Sequence, residues 1–391
     1  MVKDRMKKNK NLILGLAVFI CSIAFLLFAA APAQSLLGLL GLGITEIGLL
    51  VIALAGGLLL KGGFRETFPL KLPQFKEFRG SAYIYISVYG FTIGVSNILL
   101  YIFPGMNEVN NALTEFFSEG GLLLIVTASL LPGICEESLF RGTIRSAFRR
   151  VENTAAIVLI VGFLFGIFHL DVYRFLPTMI LGMGFTYIMV KTENLLYSMF
   201  FHALHNLIGI LPILLVGAAD MRAAPGMNAV TLSGIVIVCF AIGLLFLRLG
   251  IRRLNGKNAG GAGKVKRIVF YIACITILLI GFMASGVGAG QTVFETNIAM
   301  TLTEEFNDVQ HFEVTTAGSY RIEIYVEGDG AIGEARIVNE RGEEVYFPGS
   351  GSKFNVNTYV YLDKGQYSCH VTLTPIQSGD STEVKIGVLI K

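Results

Sequence analysis

The chain has 391 residues, of which 53% are hydrophobic and 15% charged, against about 25% charged in an ordinary soluble domain. Its charges are unevenly divided: residues 1–288 hold 24 Lys and Arg against 13 Asp and Glu, a net of +11, whereas residues 289–391 hold 7 against 15, a net of −8. This excludes a single soluble globule, and also a disordered chain, which needs low hydrophobicity; basic residues scattered between apolar runs rather than gathered on one patch argue against a nucleic-acid partner.

A bilayer core of about 30 Å takes roughly 20 apolar helical residues. Runs of that kind fall at 12–31, 36–60, 80–103, 121–140, 154–176, 176–190, 194–216, 227–247 and 268–288. The 154–190 pair has a short connection (Asp171, Arg174, Pro177), so the expectation is eight to nine transmembrane helices. With the N-terminus in the cytosol, 22 Lys and Arg fall in cytosolic segments and only Arg174 and Arg222 in the outer ones, the asymmetry that orients membrane proteins. The first run, followed by Ala31-Pro32-Ala33, has the look of a signal peptide with its cleavage site; its length favours a retained signal-anchor helix. Cys21, Cys135, Cys239 and Cys274 lie in apolar runs, Cys369 is alone in the tail, and no CxxC pair occurs. Neither a disulfide framework nor a thiolate metal site is therefore written here.

Asn255–Gly263 is rich in Gly and Asn and reads as a flexible cytosolic loop. From about residue 292 the period changes to two. Gly318–Val326, Asn357–Leu362 and Tyr367–Leu373 alternate apolar and polar residues, separated by turns at Glu327–Gly330, Glu340–Gly342 and Asp363–Gly365. This predicts a compact β-domain of sandwich type. His311 and His370 stand alone there and read as surface or packing residues.

Ionisable groups within membrane spans are costly and mark functional sites by default. Three such groups occur: Glu136-Glu137-Ser-Leu-Phe-Arg141, Phe165-Gly-Ile-Phe-His169 and His202-Ala-Leu-His205-Asn206. At about 1.5 Å per residue, Glu136, His169 and Asn206 lie about 21–22 Å from the cytosolic ends of their helices, and His202 about 15 Å. Three helices thus place polar groups in one mid-membrane layer. Glu137 and Arg141 are i,i+4 neighbours suited to an ion pair. Glu136, rotated about 100° from Glu137, has Phe140 at its i+4 position and is free to act as a base. His202 and Asn206 project to one side of their helix, and His205 is turned about 60° from Asn206. A base, imidazoles and an amide donor suit attack by activated water on an amide, with the oxyanion held by donors. No HExxH, GxGD or GxSG signature occurs. A zinc ion held by Glu136, His169 and His202 is sterically conceivable, although this spacing does not demand a metal. Glu46, in the second run, reads as structural or interfacial.

At these residues the sequence resembles the CPBP intramembrane proteases, which include the type II CAAX prenyl endopeptidases and bacteriocin-processing proteins. The family's EExxxR motif matches Glu136, Glu137 and Arg141; FxxxH matches Phe165 and His169; HxxxN matches His202 and Asn206. The resemblance covers roughly residues 80–250. It implies Glu136 as the base that activates water, Glu137–Arg141 as a supporting ion pair, and His169, His202 and Asn206 as the rest of the catalytic site. An acidic outer β-domain is a departure from the family core.

The expected fold is an all-α polytopic membrane bundle with a C-terminal extracytoplasmic all-β sandwich domain. Residues 1–79 supply N-terminal transmembrane helices, 80–250 the protease-like core, 251–291 a basic cytosolic loop and the last span, and 292–391 the sandwich. The expected activity is an intramembrane endopeptidase of the cell membrane, acting on membrane-associated peptides or lipidated protein tails, with no certain cofactor beyond the conceivable divalent metal. Two rivals come from other classes. One is a non-catalytic immunity or scaffold protein whose outer β-domain binds a ligand or partner. The other is a proton-coupled transporter, which lacks the inverted hydropathy repeat expected of that class.

Overall fold

The computed structural model describes residues 2–390 except Lys61, Pro104, Glu119, Arg150, 217–228, 257–263, 290–292, Thr303, Thr316, 328–330 and 377–381. The expected outer residue Arg222, the basic residue Arg150, most of the Asn255–Gly263 loop and the Glu327–Gly330 turn therefore fall outside the described residues, in whole or in part. The chain divides into two compact units, one built from the membrane helices and one around the C-terminal strands.

Eight helices are long and apolar enough to cross a membrane. We label the helices α1 (Lys10–Leu37), α2 (Leu39–Leu59), α3 (Phe75–Ile102), α4 (Met106–Phe117), α5 (Gly121–Ala147), α6 (Thr154–Phe168), α7 (Val172–Thr192), α8 (Leu195–Val216), α9 (Ala229–Leu254) and α10 (Lys264–Ala289). Of these, α4 and α6 are not among the eight; α6 is apolar along its length but only 15 residues long. The run expected at 154–176 is corrected: α6 stops at Phe168, and the next helix starts at Val172 rather than 176. The reason is local. His169 closes α6, Leu170 takes a left-handed φ of 52°, and Asp171 caps α7 by accepting from the amides of Tyr173 and Arg174. Pro177, which looked like the break, sits inside α7. As the sixth residue of the helix it lies beyond the first turn, so its missing N–H leaves the Tyr173 carbonyl without an i+4 backbone donor.

Pro32 and Pro132 each follow a widened i→i+5 stretch, at Leu26–Ala30 and Val126–Leu130. A proline cannot donate to the carbonyl four residues back, so the ladder re-forms with a wider turn. A third widened stretch, Ser138–Ile144, follows Glu137 directly and carries Arg141.

Small residues let these helices approach closely. A Cβ on Gly133 would lie 2.9 Å from the Met199 carbonyl oxygen and 3.0 Å from the Ala203 nitrogen, so α8 runs backbone-close along α5 just below Glu136 and Glu137. On the other flank of α5, Thr143 donates to the Ala53 carbonyl of α2 at 2.7 Å. Between α6 and α7, a Cβ on Gly182 would fall 2.9 Å from the Cβ of Phe165 and 3.1 Å from the Cα of Gly162. Gly182→Ala is therefore expected to destabilise the helical unit by about 1–3 kcal/mol, the usual cost of overpacking, read as a lower thermal midpoint in detergent.

The strands are β1 (Phe294–Leu302), β2 (Phe306–Val314), β3 (Gly318–Glu327), β4 (Ala331–Asn339), β5 (Glu344–Tyr346), β6 (Ser350–Gly351), β7 (Lys353–Leu362), β8 (Gly365–Pro375) and β9 (Thr382–Ile390). They form two antiparallel sheets, β1-β9-β3-β7 and β2-β8-β4-β5, with β6 also pairing with β4. Alternation along each strand sends one set of side chains inward. On β3 these are Tyr320, Ile322, Ile324 and Val326, and Ile322 and Ile324 face Ile390 and Val388 of β9 across the pair. Both sheets contribute to one buried core, where Gly333 of β4 rests against Val326 of β3. The expected sandwich is thus present. Of the two expected turns that are described, Gly342 has a φ of 76°, the left-handed value that glycine accommodates.

Cys369 of β8 is fully buried in this core, and burial, with the charge of Asp308 adding to it, pushes its thiol up to about 12. Because the thiolate is the reactive form, Cys369 is expected to resist alkylation at pH 8 in the native protein and to react on denaturation. Labelling followed by mass spectrometry checks this.

Candidate active site

Glu136, Glu137 and Arg141 come from the middle and end of α5, His169 from the end of α6, and His202 and Asn206 from α8. The centre of the arrangement is the Glu137–Arg141 ion pair. Arg141 Nη1 donates to Glu137 Oε1 at 2.7 Å, and both side chains are completely buried. Its second terminal nitrogen donates to the Gly182 carbonyl at 2.9 Å, which ties α5 to α7. The guanidinium lies 4.5 Å from the Phe165 ring centroid and 5.4 Å from that of Phe185. Phe165 thus does more than mark a motif, since it forms one wall around a buried cation.

Glu137 also fixes His202. The His202 Nδ1 lies 2.9 Å from Glu137 Oε1. A carboxylate in an ion pair can only accept, so Nδ1 carries the proton of this bond. The ring is further held by stacking on Phe185, with centroids 5.3 Å apart. This leaves Nε2 directed at Glu136, whose Oε2 is 4.0 Å away. Glu136 has no Lys or Arg at ion-pair distance among the described residues, and its buried Oε2 has no hydrogen-bond partner. The paired carboxylates are thus differentiated by their partners: each leaves its Oε2 without a hydrogen bond, but Glu137 receives both Arg141 and His202 on Oε1, whereas Glu136 receives no hydrogen bond from a described residue.

His169 donates from Nδ1 to the Phe165 carbonyl at 2.8 Å, because a carbonyl only accepts. The Phe165 ring centroid is 4.9 Å from that of His169 and 5.8 Å from that of His202, so one aromatic ring separates the two imidazoles. Leu170, the left-handed residue that follows, carries a conformational cost of about 1–2 kcal/mol, and such residues are held at functional turns when the surroundings over-determine them. Asn206 is half-buried one turn beyond His202, and its amide makes no hydrogen bond to a described residue. His205 points elsewhere, edge-on to Tyr85 and Tyr89.

Among the described residues, no group of three or more His, Cys, Asp or Glu side chains is placed to hold a metal ion. The Nδ1 atoms of His169 and His202 are both engaged by protein acceptors. This leaves each Nε2 without a hydrogen bond to a described residue, the disposition in which a ligating imidazole keeps its other N–H on a protein acceptor.

Sequence reading placed two charged groups elsewhere. Glu46 of α2 is buried, with one oxygen lacking a partner, and lies close enough to Glu136 to interact with its charge. Arg174, read as an outer-loop residue, belongs to the first turn of α7 and also interacts with Glu136. Neither could be found from spacing, because each approaches Glu136 from a different helix.

Comparison with known proteins bears on the same segment. Residues 118–208 match the family model for Rce1-like, type II CAAX prenyl endopeptidases. That span holds all seven residues named by the three motifs. No curated protein matches the chain.

Proposed function

We propose that this chain, a member of the type II CAAX prenyl endopeptidase family through residues 118–208, is an intramembrane endopeptidase that hydrolyses peptide bonds in membrane-associated peptides or lipidated protein tails. The observation that carries this reading is the contrast between the two adjacent carboxylates. Glu137 receives Arg141 and His202 on one oxygen, whereas Glu136, beside the His202 ring, receives no hydrogen bond from a described residue.

In this mechanism Glu136 takes a proton from water as the water oxygen attacks the scissile carbonyl carbon. The developing oxyanion accepts hydrogen bonds from Asn206 and from Nε2 of His202 in its imidazolium form, which keeps its Nδ1–H on Glu137. Collapse of the tetrahedral intermediate breaks the C–N bond, and the proton held by Glu136 passes to the leaving amine. Arg141 and Glu137 are positioning residues, and His169 closes the outer side of the site. Burial strengthens each of these polar interactions relative to water.

The reading extends to topology. With the short apolar α6 crossing alongside the eight long helices, nine crossings put the N-terminus in the cytosol and the β-domain outside, supported by the 22 to 2 division of basic residues. There the acidic sandwich would meet a ligand or partner. The deciding experiment compares the terminal peptides recovered from membranes of cells carrying wild type or Glu136→Gln. New protein termini that depend on Glu136 support the activity; identical terminal peptides in both overturn it.

A further inference from the structure

Arg174 carries a charge that no described residue meets with an ion pair or a side-chain hydrogen bond, although the charges of Asp171 and Glu136 lie within its range. Residues 174, 178, 182 and 185 recur every three to four positions along α7 and so share one face of the helix. The lower members of this stripe belong to the site: the Gly182 carbonyl receives Arg141, and Phe185 stacks on His202. Thr178, one turn below Arg174, is buried and donates back to the Arg174 carbonyl at 2.7 Å. Arg174 therefore continues the site-facing stripe toward the α6–α7 turn that carries His169. Glu136, His169 and His205 all lie within range of its charge.

Its guanidinium nevertheless makes no ion pair and no hydrogen bond among the described residues. Asp171, the nearest acidic residue in sequence, accepts instead from the backbone amides of Tyr173 and Arg174. Glu136 has only His202 at ion-pair distance. A half-buried cation in a membrane helix is ordinarily paired, and the other cation of the site, Arg141, is paired twice over. The guanidinium is thus a planar fork of N–H donors without a hydrogen bond to a described residue, the geometry that receives a carboxylate in bidentate fashion.

We propose that Arg174 is the docking group for a carboxylate of the substrate, so that the scissile bond is placed over Glu136 by a charge on the peptide itself. The substrate class rests on the endopeptidase reading given above. Every peptide tail carries such a group at its chain end, and an acidic side chain near the cut is the other source. In either case Arg174 sets which bond is cut, by fixing the distance from the carboxylate to the reacting carbonyl.

The test measures binding rather than turnover. Full-length Glu136→Gln protein in nanodiscs is titrated with a dansylated apolar peptide ending in a free carboxylate, with its C-terminal amide, and with the amide carrying one Glu side chain near the end. The free acid is expected to bind about tenfold tighter than the amide, the lower range for a hydrogen bond to a charged group. That preference should vanish in Glu136→Gln/Arg174→Gln and persist in part with Arg174→Lys, which keeps the charge but not the fork. If the Glu-bearing amide recovers the lost affinity, the carboxylate is recognised wherever it lies; if it does not, the chain end is required. Equal binding of acid and amide, a preference that survives Arg174→Gln, or binding of none of the peptides overturns the proposal. Cleavage of the same peptides by wild-type protein reports separately on the endopeptidase reading, so each can fail without the other.

Discussion

Glu136→Gln is expected to lower cleavage by at least about a hundredfold, the typical contribution of a positioned general base, while leaving the helical unit as stable as wild type or slightly more so. The two halves of this expectation come from one observation. Glu136 Oε2 is buried without a hydrogen-bond partner, so no hydrogen bond of the native fold depends on the charge at that oxygen. A buried carboxylate without a partner is a cost, and the amide of Gln removes the charge while keeping the shape. Glu137→Gln should also abolish cleavage, but for a different reason and with a different signature. It weakens the Arg141 bond and releases His202, so the thermal midpoint should fall together with activity. Measuring both quantities on both variants in proteoliposomes separates base from support. Activity of Glu136→Gln within about tenfold of wild type would remove Glu136 from its role.

Arg141→Leu is expected to destabilise the helical unit by about 3–5 kcal/mol, the range for removing one partner of a buried ion pair. Four groups lose a contact at once: Glu137 Oε1, the Gly182 carbonyl and the faces of Phe165 and Phe185. Replacing both charges, as in Glu137→Leu/Arg141→Leu, should recover much of that stability, because no lone charge is left buried. It should not recover cleavage, since His202 would still lack the acceptor that orients its ring. Denaturation of the purified variants in detergent checks the first expectation and a cleavage assay the second. A loss below about 1 kcal/mol for Arg141→Leu, typical of an exposed pair, would show that the bridge is not a structural centre.

Much of this protein can be read along the chain. Apolar runs near the bilayer length located the spans, because a buried backbone in lipid must satisfy its own hydrogen bonds and does so as helix. Period-two alternation located the sandwich, because only one face of each strand meets the core. The boundary near 170 was misplaced because Pro177 is a conspicuous breaker on paper, whereas the break was made by His169, a left-handed Leu170 and the Asp171 cap. Such a turn depends on a cap and one unusual φ angle, and neither leaves a periodic trace.

The motif residues stand out individually for the same reason that they are costly: Glu136, Glu137, Arg141, His169, His202 and Asn206 are polar where their neighbours are apolar. The Glu137–Arg141 contact was also legible, since i,i+4 spacing on a helix brings two side chains together. Only the tertiary structure decided which carboxylate receives both the guanidinium and the imidazole and which receives neither. That outcome depends on α8 approaching α5 closely at Gly133 and delivering His202 Nδ1 to Glu137 instead of Glu136. Tertiary structure likewise moved Arg174 from an apparent outer loop to the site-facing stripe of α7, and brought Glu46 within range of Glu136. Sequence spacing governs contacts within one helix, whereas which charge meets which across helices is settled by small-residue packing and by the rotation of each helix about its own axis.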